Sequence, residues 1–247
     1  MIKQITSSDN PLIKKVVQLA SAKGRTTYNQ FIAEGLRTCK TLRESPLILD
    51  TFFVTDQTIE QARTFVPEDR LMLISSHIMD KIAATKTPSG FLGVFAIPRI
   101  AVPEKIKPGL ALYAVSDPGN LGTLIRSAVA FDRPQIILIN GVDQWNPKVV
   151  QASAGAIGQA ALISMTWEQL LKHSNRPHIH ALVPSGGKPL DRTSKDALLL
   201  VGGEAHGLPD AILKQCDRLT TLTMPGSAES LNAAIAGSIA LYMSVIY

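Results

Sequence analysis

From Gly109 onward the chain repeats one pattern, a short apolar run followed by a segment of helical spacing. Strand-like runs fall at 110–115, 135–139, 160–164, 178–183, 197–201 and 218–222, and helical stretches at 121–131, 147–154, 167–173, from 209 and along the C-terminal 230–247. The runs are almost continuously apolar instead of alternating with polar residues, so both faces of each strand must be covered. That requirement predicts an α/β fold, a mostly parallel sheet with helices on both faces. Ligands of such sheets bind beyond the carboxyl ends of the strands. The loops that follow the strands are therefore where chemistry is sought.

The first 97 residues read as a smaller mixed domain, with helices at 11–20, 35–44 and 59–65 and strands at 51–55, 71–75 and 90–97. Between them and the sheet lies IPRIAVPEKIKP, with three prolines and three cations against one acid. This predicts a domain at 1–97, a linker at 98–108 and a second domain at 109–247. The net charge of +5 is unevenly placed: residues 1–43 carry eight Lys/Arg against two carboxylates, a surplus of six, so the other 204 residues sum to −1. A basic end of this kind suits phosphate contacts, and Lys14, Lys15, Arg25 and Arg37 are the expected nucleic-acid ligands.

Two cysteines, Cys39 and Cys216, stand far apart without a CxxC, which excludes a disulfide framework and gives no zinc signature. They point to a reducing, cytoplasmic setting, and the first residues carry no apolar run of the signal-peptide kind. Residues 230–247 contain no charge. Because that stretch includes Ser230, Asn232, Gly237, Ser238 and Ser244, it reads as a helix buried in a protein interface and not as a membrane span. Charged residues make up only 18 % of the chain, below the usual value of about 25 %, which agrees with surface hidden between subunits.

Three of the loops after strands are unusual. The first, SDPGNLG at 116–122, leads into a helix holding Arg126; Asp117 or Asn120 can cap it. Arg126 lies among Leu124, Ile125, Ala128 and Val129, where an idle surface cation is not expected. The second, VGGEAHGL at 201–208, carries a glycine pair and an anion, Glu204, available to orient a cation. His206 has no second histidine at ligand spacing and reads as structural. Neither GxGxxG nor GxxxxGK[ST] occurs, so dinucleotide and P-loop readings fail. The third, LTMPGSAESLN at 222–232, runs into the charge-free helix, with Ser230 as the natural N-cap and Asn232 supplying an amide.

Together, DPGNLGTLIRSAVAF, LLLVGGEAHGL and LTMPGSAESLNAAIAGSIALY resemble, in order and spacing, the three motifs of the SpoU (TrmH-like) RNA ribose methyltransferases of the SPOUT class. The stretches ITSSDNPLIKKVVQL, FIAEGLR and TKTPSGFLGVF resemble the substrate-binding domain that precedes many members, a small α/β domain of the L30e/L7Ae kind. The segment NPKVVQASAGA resembles what the family carries after its second strand. The resemblance implies a deep trefoil knot, a homodimer, S-adenosylmethionine as methyl donor and an RNA 2′-hydroxyl as acceptor, with no metal. By motif position it implies Asn120, Arg126, Glu204, Ser230 and Asn232 as the catalytic set. It likewise implies Gly202, Leu222, Met224 and Leu231 around the cofactor. This chain departs from the family at Asp132, where glycine is usual, at Thr223, where proline is frequent, and at Ala233-Ala234, where Val-Ser is common.

An arginine side chain holds its proton far too tightly to be expected to act as a base. The reading is that Arg126 hydrogen-bonds the 2′-oxygen and a neighbouring phosphate, with Glu204 fixing the guanidinium. Ribosomal RNA is expected over transfer RNA. An RNA-binding homologue of weak catalysis, or an enzyme acting on a small molecule, are the competing readings; the intact polar set argues against the first and the basic N-terminal end against the second.

Overall fold

The computed structural model describes residues 2–227 and 229–246; Ala228 of the third loop and Tyr247 at the end of the predicted helix lie outside the described residues. In chain order the elements are β1 (Lys3–Ile5), α1 (Pro11–Gln18), α2 (Ala22–Tyr28), β2 (Gln30–Glu34), α3 (Leu36–Arg43), β3 (Leu49–Val54), α4 (Ile59–Arg63), β4 (Leu71–Ile74), α5 (Ser76–Ile82) and β5 (Phe91–Ala96). They continue with β6 (Gly109–Tyr113), α6 (Pro118–Ala130), β7 (Gln135–Ile139), α7 (Pro147–Ala152), β8 (Ala161–Ser164), α8 (Trp167–Lys172), β9 (Ile179–Leu182), β10 (Lys188–Pro189), β11 (Leu198–Gly202), α9 (Asp210–Leu213), β12 (Arg218–Thr221) and α10 (Ala233–Ile246). Two compact units result, one formed by the chain up to Arg99 together with Asp143–Gly158, the other by Ile100–Val142 and the chain from Gln159.

In the first unit a five-stranded mixed sheet runs β1-β4-β3-β5-β2. Its core holds Ile13, Leu19, Phe31, Phe52, Phe53 and Phe95, all fully buried. Helix α1 starts where Asn10 Oδ1 accepts the Leu12 N–H at 2.9 Å and Pro11 takes the first helical position. Helix α2 was not foreseen from the sequence, because Gly24, Thr26 and Thr27 weaken its helical signal. It is set by its surroundings instead: a Cβ on Gly24 would lie 2.0 Å from the Gln18 carbonyl oxygen, so only glycine allows this approach.

The segment Asp143–Gly158, placed with the second domain by sequence, packs on the first sheet. Trp145 packs against Phe31 with ring centroids 4.6 Å apart and the planes tilted by 33°, and α7 lies on β2. Asp143 accepts from Arg25 Nε and Nη2 at 2.8 and 2.6 Å. Arg25 also donates to the carbonyls of Leu19 and Ala20, both at 2.9 Å, and only 4 % of its side chain is exposed.

The second unit is a seven-stranded, wholly parallel sheet in the order β10-β12-β9-β11-β6-β7-β8. Its apolar strands fill both faces, with Ala111, Ile137, Ile163, Leu198 and Leu200 in one continuous cluster. The chain of 100–108, read as a free linker, belongs to this unit: Ile106 is buried in the same cluster and its N–H donates to Asn175 O at 3.0 Å. The chain leaves β6 in one direction toward β7 and β8, and β11 lies on the other side. The carboxyl ends of β6 and β11 therefore flank the point where the strand order reverses.

Helix α10 crosses α6 and β11. Gly237 makes this possible, since a Cβ there would lie 2.6 Å from Leu124 Cδ2. The helix begins at Ala233, not at the predicted Ser230 cap: Asn232 Oδ1 accepts the N–H groups of Ala234 and Ile235 at 2.8 and 3.3 Å. Nor is it buried all round, because Ile235, Ile239, Tyr242 and Ile246 form an exposed stripe.

Arg25→Ala removes one partner of a buried pair and leaves two carbonyls without donors. It is expected to destabilise the first unit by about 3 kcal/mol, against less than about 0.5 kcal/mol for Lys14→Ala, whose partner Asp9 is in solvent. Urea unfolding of the two variants measures the difference.

Candidate active site

The three unusual loops come together at the carboxyl ends of β6, β11 and β12. After β6, Ala114 takes a left-handed conformation with φ 54°. Asp117, one of the two predicted caps, caps α6, accepting the Asn120 N–H at 2.8 Å. After β11, Gly203 is held so close to the first loop that a Cβ would lie 2.2 Å from Ala114 O. The bridge between Gly203 and Gly207 closes the second loop into a narrow turn, and it presents Glu204 to the first.

Glu204 is the hub. Its Oε1 accepts from Asn120 Nδ2 at 2.6 Å. Its Oε2 accepts from the Ser116 N–H at 3.3 Å and from the Ser116 hydroxyl at 3.2 Å. Asn120 Oδ1 in turn accepts from Asn232 Nδ2 at 3.1 Å, and Asn232 caps α10. One chain of hydrogen bonds thus joins all three motifs. Partial burial alone would raise the Glu204 carboxyl, but the hydrogen bonds from the Asn120 amide, its own backbone and Ser116 outweigh it and hold the group below its ordinary value. Ser116 was not singled out from the sequence; the available signal was a hydroxyl directly before the capping Asp117.

Glu204 does not hold Arg126, contrary to the expectation. Asn120 and Arg126 are six residues apart on α6, and at about 100° per residue their side chains leave the axis some 120° apart. Arg126 is exposed, and no hydrogen bond or ion pair engages its side chain among the described residues.

Beside the network opens a cavity of about 600 Å³. Leu182, Val201, Leu222 and Leu231 give it apolar walls, and Gly202, Met224, Ser230 and Asn232 also line it. Glu204 and His206 reach it from the second loop. The four predicted cofactor residues are thus brought together, with Glu204, Ser230 and Asn232 of the catalytic set, whereas Asn120 is hydrogen-bonded to Glu204 and Asn232 without lining the cavity and Arg126 lies outside. Among the described residues no cluster of His, Cys, Asp or Glu is arranged to hold a metal ion, and no helix is long and apolar enough to cross a membrane.

In the first unit the four predicted RNA ligands separate. Arg25 is a correction: it is buried, with four of its N–H donors on Asp143 and two carbonyls, so no phosphate can reach it. Lys14 lies 3.1 Å from Asp9, both in solvent; Lys15 sits 5.5 Å from the Tyr28 ring centroid; Arg37 is exposed on α3.

Residues 108–242 match the model of the SpoU rRNA methylase family, and residues 10–93 that of the MRM3-like substrate-binding domain. A Synechocystis protein named as an uncharacterized tRNA/rRNA methyltransferase is 31 % identical, covering 98 % of this chain and 93 % of its own. The 23S rRNA (guanosine(2553)-2′-O)-methyltransferase RlmP of Bacillus subtilis is 28 % identical across 98 % of both chains. The AdoMet-bound rRNA methyltransferase of Sinorhizobium meliloti superposes with a TM-score of 0.85 at 27 % identity, covering 98 % of this chain and 97 % of that one.

A carboxyl held low contributes stability above its unfolded value, and that contribution is lost as pH falls through the folded value. The Glu204 network is therefore expected to persist through neutral pH and to fail only in acid. In Asn120→Leu, burial is left with fewer opposing hydrogen bonds, so the Glu204 carboxyl should titrate higher. Carbon-13 NMR of glutamate-labelled protein reads the change.

Proposed function

The chain belongs to the SpoU rRNA methylase family, and from that premise we propose that it transfers a methyl group from S-adenosylmethionine to a ribose 2′-hydroxyl of RNA in the cytoplasm, ribosomal RNA in preference to transfer RNA. The observation that carries the reading is the hydrogen-bond chain Ser116–Glu204–Asn120–Asn232 at the mouth of the large cavity. The names of the Bacillus and Sinorhizobium relatives support ribosomal RNA as the acceptor.

The residues fit the cofactor. The cavity has room and apolar walls for an adenosine, and Glu204 places an ionised carboxylate at its edge, suited to a cationic sulfonium. Gly202, Leu222, Met224 and Leu231 would hold it. When bound, S-adenosylmethionine supplies an electrophilic methyl group. The protein's own share is positioning: reactants held about 3–3.5 Å apart in line can contribute roughly 7–11 kcal/mol of the barrier. Asn120, Ser230 and Asn232 fix the loops and the ribose. Arg126 keeps all its donors free, so its fork can bind the 2′-oxygen and an adjoining phosphate. It stabilises negative charge on that oxygen as the hydroxyl proton leaves to solvent. Glu204, whose carboxyl is held low, is an anchor and not the proton acceptor.

The trefoil knot belongs to the same proposal. It is supported by the return of the chain from β12, beyond β9, to α10 on α6 and β11. So does the homodimer. Ile235, Ile239, Tyr242 and Ile246 recur every three or four residues on one face of α10, and Phe131 extends the stripe, its ring centroid 5.4 Å from that of Tyr242. An uncharged apolar stripe of this kind suits a second copy of itself.

Tritium transfer from labelled S-adenosylmethionine to total RNA tests the activity, and primer extension at low dNTP locates the nucleotide. Arg126→Lys keeps the charge but loses the fork, and transfer should fall by about a hundredfold with cofactor binding unchanged. Near-full activity in that variant would end the role given to the oriented guanidinium. Ile239→Asp should halve the mass seen by light scattering to that of one 26.6 kDa chain; a wild-type protein already of that mass would refute the dimer.

A further inference from the structure

A second cavity, of about 240 Å³, lies entirely within the first unit. One side is formed by β2 and the loop after α5, the other by α7. Ile32, Ala84, Pro147 and Ala152 make its walls apolar. Glu34 is buried there, yet its carboxylate accepts the N–H groups of Ala84 and Thr85 at 3.0 and 3.2 Å and the Thr85 hydroxyl. Three donors thus turn this carboxylate toward the loop that it fixes. No other carboxylate lines the cavity.

The rim has the opposite character. Lys148 and Gln151 are exposed at i and i+3 on α7, hence on one face. Neither side chain has a hydrogen-bond or ion-pair partner among the described residues. Exposed Lys86 directly follows Thr85 on the facing loop. A preformed apolar slot lined by one cation and one amide, with a second cation next in the chain after Thr85, matches the three parts of an unpaired nucleotide. The base faces meet Ile32 and Pro147, the amide donates and accepts at the base edge, and the cations meet the phosphates.

We propose that this groove seats an unpaired nucleotide of the RNA substrate, with Gln151 reading the base and Lys148 and Lys86 holding the adjoining phosphates. The proposal rests on the RNA reading given above. It adds a wall that the substrate-binding family model, matching residues 10–93, does not reach. That wall, α7, is part of the connection between β7 and β8, so RNA in the groove touches chain leading straight into the catalytic sheet.

The full-length protein is irradiated with 4-thiouridine-substituted total RNA and the crosslinked peptides are mapped. Methyl transfer to total RNA from cells lacking the enzyme is measured in parallel for Lys148→Glu and Gln151→Ala, with Lys172→Glu on α8 as a control. Crosslinks should fall on 84–86 and 147–152. Lys148→Glu should raise the RNA KM by about tenfold and lower the salt slope of RNA binding by about 1, and Gln151→Ala should raise KM by about fivefold. In each, kcat and S-adenosylmethionine affinity stay as in wild type, and Lys172→Glu changes nothing. Crosslinks elsewhere, or an unchanged KM and salt slope in Lys148→Glu, overturn the proposal. Crosslinking needs no turnover, so a protein that transfers no methyl group would refute the activity while the map still decides the groove.

Discussion

Everything at the mouth of the large cavity depends on where one carboxylate finds its donors. Glu204 is delivered by a turn so tight that its neighbour Gly203 admits no side chain, and its two oxygens then divide between Ser116 and Asn120. Hydrogen bonds to an ionised acceptor are the stronger kind, and a chain of them restrains each member more than a single pair would. Because Asn120 also accepts from Asn232, which caps α10, the position of the last helix is tied to a loop formed more than a hundred residues earlier. The loops of three distant segments are thus joined by one chain of hydrogen bonds.

An equivalent constraint organises the first unit. Arg25 has four donor contacts inside the fold, two on Asp143 and two on main-chain carbonyls. With Trp145 against Phe31 they pull the connection between β7 and β8 out of its sequence neighbourhood and onto β2. The chain thereby passes between the units at three places, near 99, 142 and 158, where a single linker had been expected.

Much of the parallel sheet was legible because its signal is local. Runs such as Gln135–Ile139 and Ala161–Ser164 are strands within a residue of their expected ends, since continuous apolar sequence has few other outcomes in a short segment. What was not legible depends on distant partners. Helix α2 has weak propensity and is set by contacts of Gly24 and Arg25; β10 is two residues paired with β12; β1 is three residues paired with β4. The motif order brought Glu204, Ser230 and Asn232 to one cavity, yet the partner of Glu204 was misassigned. Opposite charge suggested Arg126, whereas the helical rotation between Asn120 and Arg126 directs only the former at the carboxylate.

The two arginines make the general point. By composition Arg25 and Arg126 are the same reagent, and the basic N-terminal end made Arg25 a natural RNA ligand. Burial reverses that expectation. A guanidinium enclosed with a carboxylate and two carbonyls is out of a phosphate's reach, and removing it opens the fold; one left in solvent without a partner keeps its whole fork for a ligand. What leaves Arg126 free is its place on α6, about 120° around the axis from Asn120. Glu204 is satisfied by Ser116 and Asn120 while Arg126 leaves the same helix in another direction, so the loops are fixed without engaging the arginine.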